Sequence, residues 1–200
     1  MASPVRSDAA RNRQALIEIA TRLFAAAAGD EPSMRLIARE AGVGIGTLYR
    51  HFPTREALVE AVYQDQVRRL TEGADALLAA HPPARAMRHW MDLFSEWLAT
   101  KHGMVDTLRA MVGNQQLGHA HTRTELLTAI DKILAAGRAA GDIGAHATAE
   151  DVAAALIGIF TVAPITSRAE QAARLLDLVM LGIAATGPDG PRPGAAGSVR

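Results

Sequence analysis

Apolar side chains recur at intervals of three and four positions through most of the sequence. In the first such segment Leu16, Ile19 and Leu23 fall on one face, because an α-helix completes a turn in about 3.6 residues. We find no run with the strict alternation of apolar and polar residues that is typical of a half-buried strand. The pattern therefore predicts an all-α protein with about nine helices.

Glycine, proline and capping residues indicate where these helices begin and end. Gly29 and Gly42 stand where the apolar pattern stops, a usual position for glycine after a helix. Ser33 and Thr54 are placed to cap the starts of two helices, since their side-chain oxygens can accept free backbone N–H groups. The predicted helices span residues 8–28, 34–41, 45–52, 55–80, 84–101, 105–112, 122–140, 149–163 and 168–185.

The segment from Ser33 to Tyr63 carries the most specific pattern. Two short helices are joined by a tight turn that contains Gly42, and the second helix keeps Leu48 and Phe52 for the core. This arrangement is typical of a helix-turn-helix, whose second helix lies in the DNA major groove. The polar residues left on these helices or beside them are candidate DNA contacts: Arg35, Thr47, Tyr49, Arg50, His51 and Arg55.

The charge distribution supports a nucleic-acid partner at one end of the molecule. The formal net charge of the chain is zero, but residues 1–55 contain eight arginines against five acidic residues, a net of +3. The remaining residues carry 13 basic and 16 acidic side chains, a net of −3. A basic segment on a neutral chain is suited to binding phosphates.

Composition removes several other classes of protein. The sequence contains no cysteine, which excludes disulfide frameworks, zinc-thiolate sites and cysteine nucleophiles. The polar residues 1–13 do not look like a secretory signal, and the longest uncharged run, 152–167, is shorter than the ~20 residues that span a membrane. We therefore expect a cytoplasmic protein that has no membrane partner.

Catalytic and metal-binding patterns are also missing from the sequence. The histidines at 102, 119 and 121 are not accompanied by a carboxylate cluster, so no metal site is predicted. We find no recognisable activated nucleophile, no paired-carboxylate site and no glycine-rich cofactor loop. We expect neither enzymatic activity nor a cofactor.

The helix-turn-helix segment resembles the TetR family of bacterial transcriptional regulators. The match extends from the first helix, near Leu23-Phe24, to Leu58, and is dense throughout. The residues that carry it are Ile37-Ala38, Ala41-Gly42-Val43, Gly46-Thr47-Leu48-Tyr49, His51-Phe52 and Arg55-Glu56-Ala57-Leu58. The resemblance implies a DNA-binding domain in residues 1–55 and a helical-bundle domain for ligand binding and dimerisation in 56–186. Residues 187–200 are half glycine and proline, and this composition predicts a disordered tail.

The resemblance also implies roles for individual residues. Thr47, Tyr49 and His51 would contact phosphates, and Arg55 would clamp the DNA backbone at the start of the fourth helix. Ile45, Gly46 and Arg50 would face the edges of the bases. Many family members have serine followed by a polar residue where this chain has Gly44-Ile45, and here Ile45 is placed to contact a thymine methyl group.

The last two predicted helices look like an interface between two copies of the chain. In the family these helices form an antiparallel four-helix dimer interface, although the apolar pattern alone fits an ordinary intrachain core equally well. The candidate interface residues are Val152, Leu156, Ile159, Phe160, Leu176, Val179, Met180 and Ile183.

The family further implies a pocket for a small hydrophobic ligand within the middle helices. Apolar walls with a few polar groups suit such a molecule. Each tryptophan or methionine of the candidate set, taken alone, fits an ordinary position in the hydrophobic core. The candidate lining residues are His89, Trp90, Phe94, Trp97, Met104, Arg109, Met111 and Phe160, with Gln115 and His119 as further polar points.

These expectations combine into a homodimeric repressor that binds a palindromic operator in double-stranded DNA and is released by a small molecule. Two other functions are left open by the residues themselves. A constitutive architectural DNA-binding protein would need a stronger and more uniform basic surface than this chain has. An all-α enzyme would need a catalytic constellation that we do not find.

Overall fold

The computed structural model describes residues 4–27, 30–113, 119–162 and 165–185. The expectation of an all-α fold with about nine helices is confirmed for these residues. Gly29 and the predicted tail 187–200 lie outside the described residues. The helices are α1 (Pro4–Ala25), α2 (Met34–Glu40), α3 (Ile45–His51), α4 (Arg55–Ala80), α5 (Pro83–His102), α6 (Val105–Gly113), α7 (His119–Ala140), α8 (Ala149–Val162) and α9 (Ile165–Ile183).

Helices α1 to α3 form the helix-turn-helix unit, and local capping sets their boundaries. The Ser33 hydroxyl accepts the Leu36 N–H at 3.2 Å at the start of α2, and the Thr54 hydroxyl accepts the Ala57 N–H at 3.2 Å at the start of α4. Gly42 adopts φ 65°, a left-handed conformation that favours glycine, and this turn directs α3 away from α2. Leu48 and Phe52 are fully buried beneath it.

Helices α4 to α9 form a second, larger unit. Helices α4, α5 and α7 pack together at its centre, and α8 and α9 pack against them. Two prolines explain where α5 begins. Pro82 is its N-cap residue and Pro83 its first helical residue, a position that tolerates proline because the N–H there would have no partner within the helix. Trp90 is fully buried at the centre, and its indole Nε1–H donates to the Leu70 carbonyl at 2.9 Å. The core is therefore tied across α4 and α5 by both packing and a satisfied polar group.

The helix-turn-helix unit is fixed to the larger unit by a close contact between α1 and the end of α5. Gly103 caps α5 with φ −69° and ψ −7°, a conformation that any residue adopts. A Cβ at this position would nevertheless overlap the backbone carbonyl of Phe24 on α1. Glycine is needed at 103 for space, not for backbone conformation.

Gly103→Ala is expected to lower the free energy of unfolding by about 3 kcal/mol, the upper end of the range for overpacked sites. The rigid Phe24 backbone, rather than a movable side chain, would have to shift. Thermal and urea denaturation measure the effect. Gly46→Ala is the matched control, since a Cβ there meets no atom within 4 Å. Equal melting temperatures for Gly103→Ala and the parent protein would contradict the assignment.

Candidate nucleic-acid interface and ligand cavity

Helix α3 leaves two large apolar side chains exposed to solvent on either side of its core contact. Leu48 is the buried residue that anchors the helix. Ile45 is 38% exposed and Tyr49 is 45% exposed, although residues of their size are usually covered. Both side chains are therefore accessible to a partner, and the DNA contacts that the sequence predicts for them stay a prediction.

Arg50 lies on the same exposed side of α3 and is held along its own helix. Its Nε donates to the Gly46 carbonyl at 3.3 Å, and one terminal nitrogen donates to the Thr47 hydroxyl at 3.1 Å. A guanidinium has five N–H donors, so several stay available for a partner. Thr47 thus positions Arg50 in the protein alone, and both residues face the candidate DNA surface.

Further basic side chains are exposed or half-buried on and beside α3. Arg35 is exposed on α2, and His51 is half-buried at the end of α3. Arg13 on α1 lies over the Phe52 ring, with its guanidinium carbon 4.9 Å from the ring centroid. Arg13 is not among the predicted DNA contacts, and its only sequence signal is that of a basic residue on the exposed side of α1.

Arg55 is placed differently from the other candidate DNA contacts, since its side chain is engaged inside the protein. Its Nε donates to Glu31 Oε2 at 3.1 Å and to the Thr107 hydroxyl at 2.9 Å. Its terminal nitrogens donate to the Pro32 carbonyl and to Glu31 Oε2, each at 2.6 Å. The side chain is 26% exposed. The predicted contact with the DNA backbone stays a prediction, and it would require these bonds to be rearranged.

Glu31 completes a cluster that joins three parts of the chain, and we refer to Glu31, Arg55 and Thr107 as the clasp. Glu31 Oε1 accepts the Thr107 N–H at 3.0 Å, and Oε2 accepts the Thr107 hydroxyl at 2.6 Å. Burial raises the pKa of the Glu31 carboxyl, but the hydrogen bonds from Thr107 and Arg55 outweigh it and hold that pKa below its ordinary value. The clasp connects the α1–α2 loop, the start of α4 and helix α6.

A cavity of about 330 Å³ lies between α4, α5, α7 and α8. Its polar lining groups are Tyr63, Lys101, Thr122 and Arg123. Burial raises the pKa of the Tyr63 phenol, the nearby Glu125 carboxylate raises it further, and a hydrogen bond with Thr122 opposes this rise. The apolar lining residues are Phe94, Trp97, Leu98, Leu126, Leu127, Ile130, Ala153 and Ile157.

Of the predicted pocket residues, the structure brings Phe94 and Trp97 to this cavity. Trp90, Met104, Met111 and Phe160 are buried in the core instead and are not among its lining residues. His89 is exposed with its ring 4.8 Å from that of His81, and Arg109 is exposed beside Asp106. Gln115 and the side chain of His119 lie outside the described residues.

None of the four polar lining residues is among the pocket residues that the sequence suggested. Tyr63 interrupts the apolar stripe of α4, and Lys101 is one of two lysines in the chain, the other being Lys132. These irregularities were the available signals. Thr122 and Arg123 carry no such signal, because only the packing of α7 against α4 and α5 brings them to the cavity.

The outer face of α8 and α9 differs from the interface residues that the sequence suggested. Five of those residues are buried within the protomer and so belong to its own core: Val152, Leu156, Phe160, Leu176 and Ile183. Ile159, Val179 and Met180 are half-buried. The exposed apolar residues are their neighbours Ile157 (55%), Val162 (64%), Leu178 (61%) and Leu181 (73%). The exposed apolar residues of α8 and α9 thus lie on a different face of each helix from the residues that the sequence suggested.

None of the helices in the described ranges is both long enough and apolar enough to cross a membrane. Within those same ranges, no three histidine or carboxylate side chains come together as a metal site would require.

Two family models together match most of the chain. The model described as "Bacterial regulatory proteins, tetR family" matches residues 16–62, and the model described as "Transcriptional regulator SbtR-like, C-terminal domain" matches residues 82–185. An HTH-type transcriptional regulator of Staphylococcus aureus is 47% identical over 60 residues, which are 30% of this chain and 32% of that protein. The chain thus matches about a third of the length of this curated relative.

Solved structures extend the similarity to nearly full length. A TetR transcriptional regulator of Streptomyces coelicolor is 41% identical, with a TM-score of 0.79 over 88% of this chain and 99% of that one. A TetR transcription regulatory protein of Mycobacterium vanbaalenii is 34% identical, with a TM-score of 0.70 over 90% of this chain and 99% of that one. From its helix-turn-helix through its C-terminal helices, this chain belongs to the TetR family of bacterial transcriptional regulators.

Proposed function

We propose that the protein is a dimeric repressor that binds a palindromic operator and is released by a small-molecule ligand. The observation that carries the proposal is the outer face of α3, where Ile45, Tyr49 and Arg50 are exposed around a single buried anchor. Such a regulator acts on the bacterial chromosome, so we place it in the cytoplasm and assign it no catalytic role.

In this proposal α3 enters the major groove of the operator. Thr47, Tyr49 and His51 contact phosphates, together with the exposed Arg35 on α2. Ile45 and Gly46 approach the base edges, and the Ile45 side chain is suited to a thymine methyl group. Arg50 reaches guanine through two of its N–H donors, a contact that discriminates between bases by about 1–3 kcal/mol.

Dimerisation is supported by the exposed apolar side chains of α8 and α9. Leu178 and Leu181 lie about one turn apart on α9 and are 61% and 73% exposed, and Ile157 and Val162 on α8 add to the same kind of surface. Gly158 and Gly182 are open to a neighbour, since a Cβ at either position meets nothing within 4 Å in the protomer. A two-fold interface here would present two α3 helices to half-sites about 34–36 Å apart.

Ligand release is supported by the position of the cavity relative to α4. Tyr63, in the first half of α4, lines the cavity, and Arg55 of the clasp is the first residue of the same helix. A ligand that displaces Tyr63 would move the start of α4 and with it the orientation of α3. A coupling of about 1–3 kcal/mol between the two sites would lower operator affinity roughly 5- to 150-fold.

Arg50→Ala is expected to reduce the preference for operator DNA about tenfold or more, because one bidentate guanine contact is lost in each half-site. Tyr49→Ala is expected to weaken binding to all duplexes. The measurement is fluorescence anisotropy on DNA from upstream of the protein's own gene and on scrambled DNA, at two salt concentrations. The control is Arg85→Ala, which removes the same charge from an exposed position on α5 outside the proposed DNA-binding surface. No binding to any DNA, or an equal loss with Arg85→Ala, would refute the interface.

Glu31→Gln is expected to lower the free energy of unfolding by about 2 kcal/mol, since hydrogen bonds to charged groups contribute about 1.5–3 kcal/mol. Urea denaturation at neutral pH measures this loss. Glu40→Gln is the control, because it breaks an ion pair with Arg39 whose side chains are 46% and 74% exposed, and exposed pairs contribute little. An equal effect of both substitutions would contradict the role of the clasp.

The clasp also predicts a pH dependence. The folded protein holds the pKa of Glu31 below its ordinary value of 4.5, so the stabilisation is fully present above that value. It is lost as the pH falls through the lower, folded-state pKa. The stability difference between the parent protein and Glu31→Gln should therefore shrink in acid, and a constant difference across that range would count against the charged clasp.

Leu181→Glu is expected to yield a folded monomer, because it places a charge in the centre of the exposed apolar face of α9. Size-exclusion chromatography with light scattering measures the mass, and circular dichroism verifies the helix content. Ala135→Glu adds the same charge to an exposed position of α7 and should leave the dimer intact. A dimer that survives Leu181→Glu would exclude this face as the interface.

A further inference from the structure

Lys101 is a half-buried cation with no anion beside it. Its Nζ lies 5.1 Å from the centroid of the Trp97 ring, and the residue lines the cavity. No ion pair found between described side chains includes Lys101, and burial alone lowers the pKa of its ammonium. The Glu125 carboxylate on α7 pairs with His121 at 3.5 Å instead. An ammonium that has lost water without gaining a counter-ion favours any anion that can reach it.

Trp97 offers a second unsatisfied group in the same place. The residue is 5% exposed, and its indole Nε1–H has no hydrogen-bond acceptor. The other tryptophan, Trp90, is equally enclosed but donates to the Leu70 carbonyl at 2.9 Å. Buried donors in folded proteins nearly always have a partner. The N–H is closed off in this conformation, so an oxygen acceptor from a ligand lying at Lys101 would reach it only after the side chains around Trp97 shift.

The remaining lining limits the size and charge of that ligand. Phe94, Leu126 and Ile130 are apolar walls, and the volume of about 330 Å³ is near the lower end of the roughly 300–1,000 Å³ common for ligand sites. Lys101 is one enclosed cation, whereas Arg123 on the wall is exposed to solvent. One enclosed positive charge balances one negative charge, and a phosphate group carries about −1.5 to −2 at neutral pH. The enclosed charge of the cavity is therefore suited to a ligand that carries a single negative charge.

We infer that the cavity binds a small monocarboxylate with an apolar aryl or alkyl body, the carboxylate lying at Lys101 and Trp97 and the body among Phe94, Leu126 and Ile130. This inference rests on the proposed function for the claim that a ligand acts there at all. Lys101 is the residue that favours a negatively charged ligand over an uncharged one. Tyr63 then links an occupant of the cavity to α4 and so to the DNA-binding unit.

Isothermal titration calorimetry on the full-length protein without DNA tests the ligand class. The probes are 4-phenylbutyrate and octanoate, each compared with its uncharged amide. Each acid is expected to bind about tenfold or more tightly than its amide, since hydrogen bonds to charged groups are the stronger ones. The better of the two acids identifies the body as aryl or alkyl.

Two substitutions assign the charge preference to a residue. Lys101→Met is expected to remove the preference for acid over amide while keeping an unbranched, apolar side chain of similar length. Lys101→Arg should retain it, which separates loss of charge from loss of fold. Lys132→Met is the matched control, because Lys132 is the other lysine and pairs with Asp75 at 2.8 Å outside the cavity lining.

Equal binding of acids and amides, no binding of any probe at millimolar concentration, or a preference that persists in Lys101→Met would each overturn the inference. Operator release is measured separately by anisotropy with the same probes. Acids that bind with the expected preference and leave the operator complex unchanged would refute ligand release as proposed above while leaving the ligand class intact.

Discussion

The orientation of the DNA-binding unit depends on a carboxylate that is held inside the protein between an arginine and a threonine. Glu31 follows α1, Arg55 begins α4, and Thr107 lies on α6, so one set of hydrogen bonds ties together three segments that are distant in sequence. The overlap that any Cβ at Gly103 would make with Phe24 shows how closely α1 also approaches α5. Together these contacts fix α3 relative to the larger helical unit, and a change in either would move it.

The clasp gives Arg55 two competing partners. The family resemblance assigns this residue to a DNA phosphate, whereas here Glu31, Thr107 and the Pro32 carbonyl accept its donors. A phosphate would have to displace a carboxylate that already lies 2.6 Å away in a partly buried position. Salt screens a partly buried pair of this kind less than an exposed one. In the proposed complex, the exposed residues of α3 could contact DNA without breaking such a pair, whereas Arg55 could not.

Local sequence predicted the helices and the helix-turn-helix because local rules govern them: apolar spacing, the caps Ser33 and Thr54, and the turn at Gly42. It failed where the answer depends on packing between distant segments. Glu31 looks like an ordinary turn acid until α6 is brought against it. Helix α8 is apolar on nearly all sides, so periodicity could not distinguish the buried Leu156 from the exposed Ile157. The predicted pocket residues on α5 include Phe94 and Trp97, which line the cavity, together with Trp90, which is packed in the core with its N–H satisfied.

The two tryptophans show why unsatisfied groups are more informative than apolar ones about function. Trp90 contributes packing and a complete hydrogen bond, which is what selection for stability alone would produce. Trp97 keeps a buried N–H without an acceptor beside a half-buried ammonium without a counter-ion, and both features lower the stability of the protein by itself. A ligand that supplies an acceptor for Trp97 and a counter-ion for Lys101 would recover the lost stability only in the conformation that binds it. The ligand would therefore have a higher affinity for that conformation, and this difference is what allows binding to shift the equilibrium between conformations. Under the proposed function, Tyr63 would pass this free energy to the clasp and so to the position of α3, since it lines the same cavity and belongs to the helix that Arg55 begins.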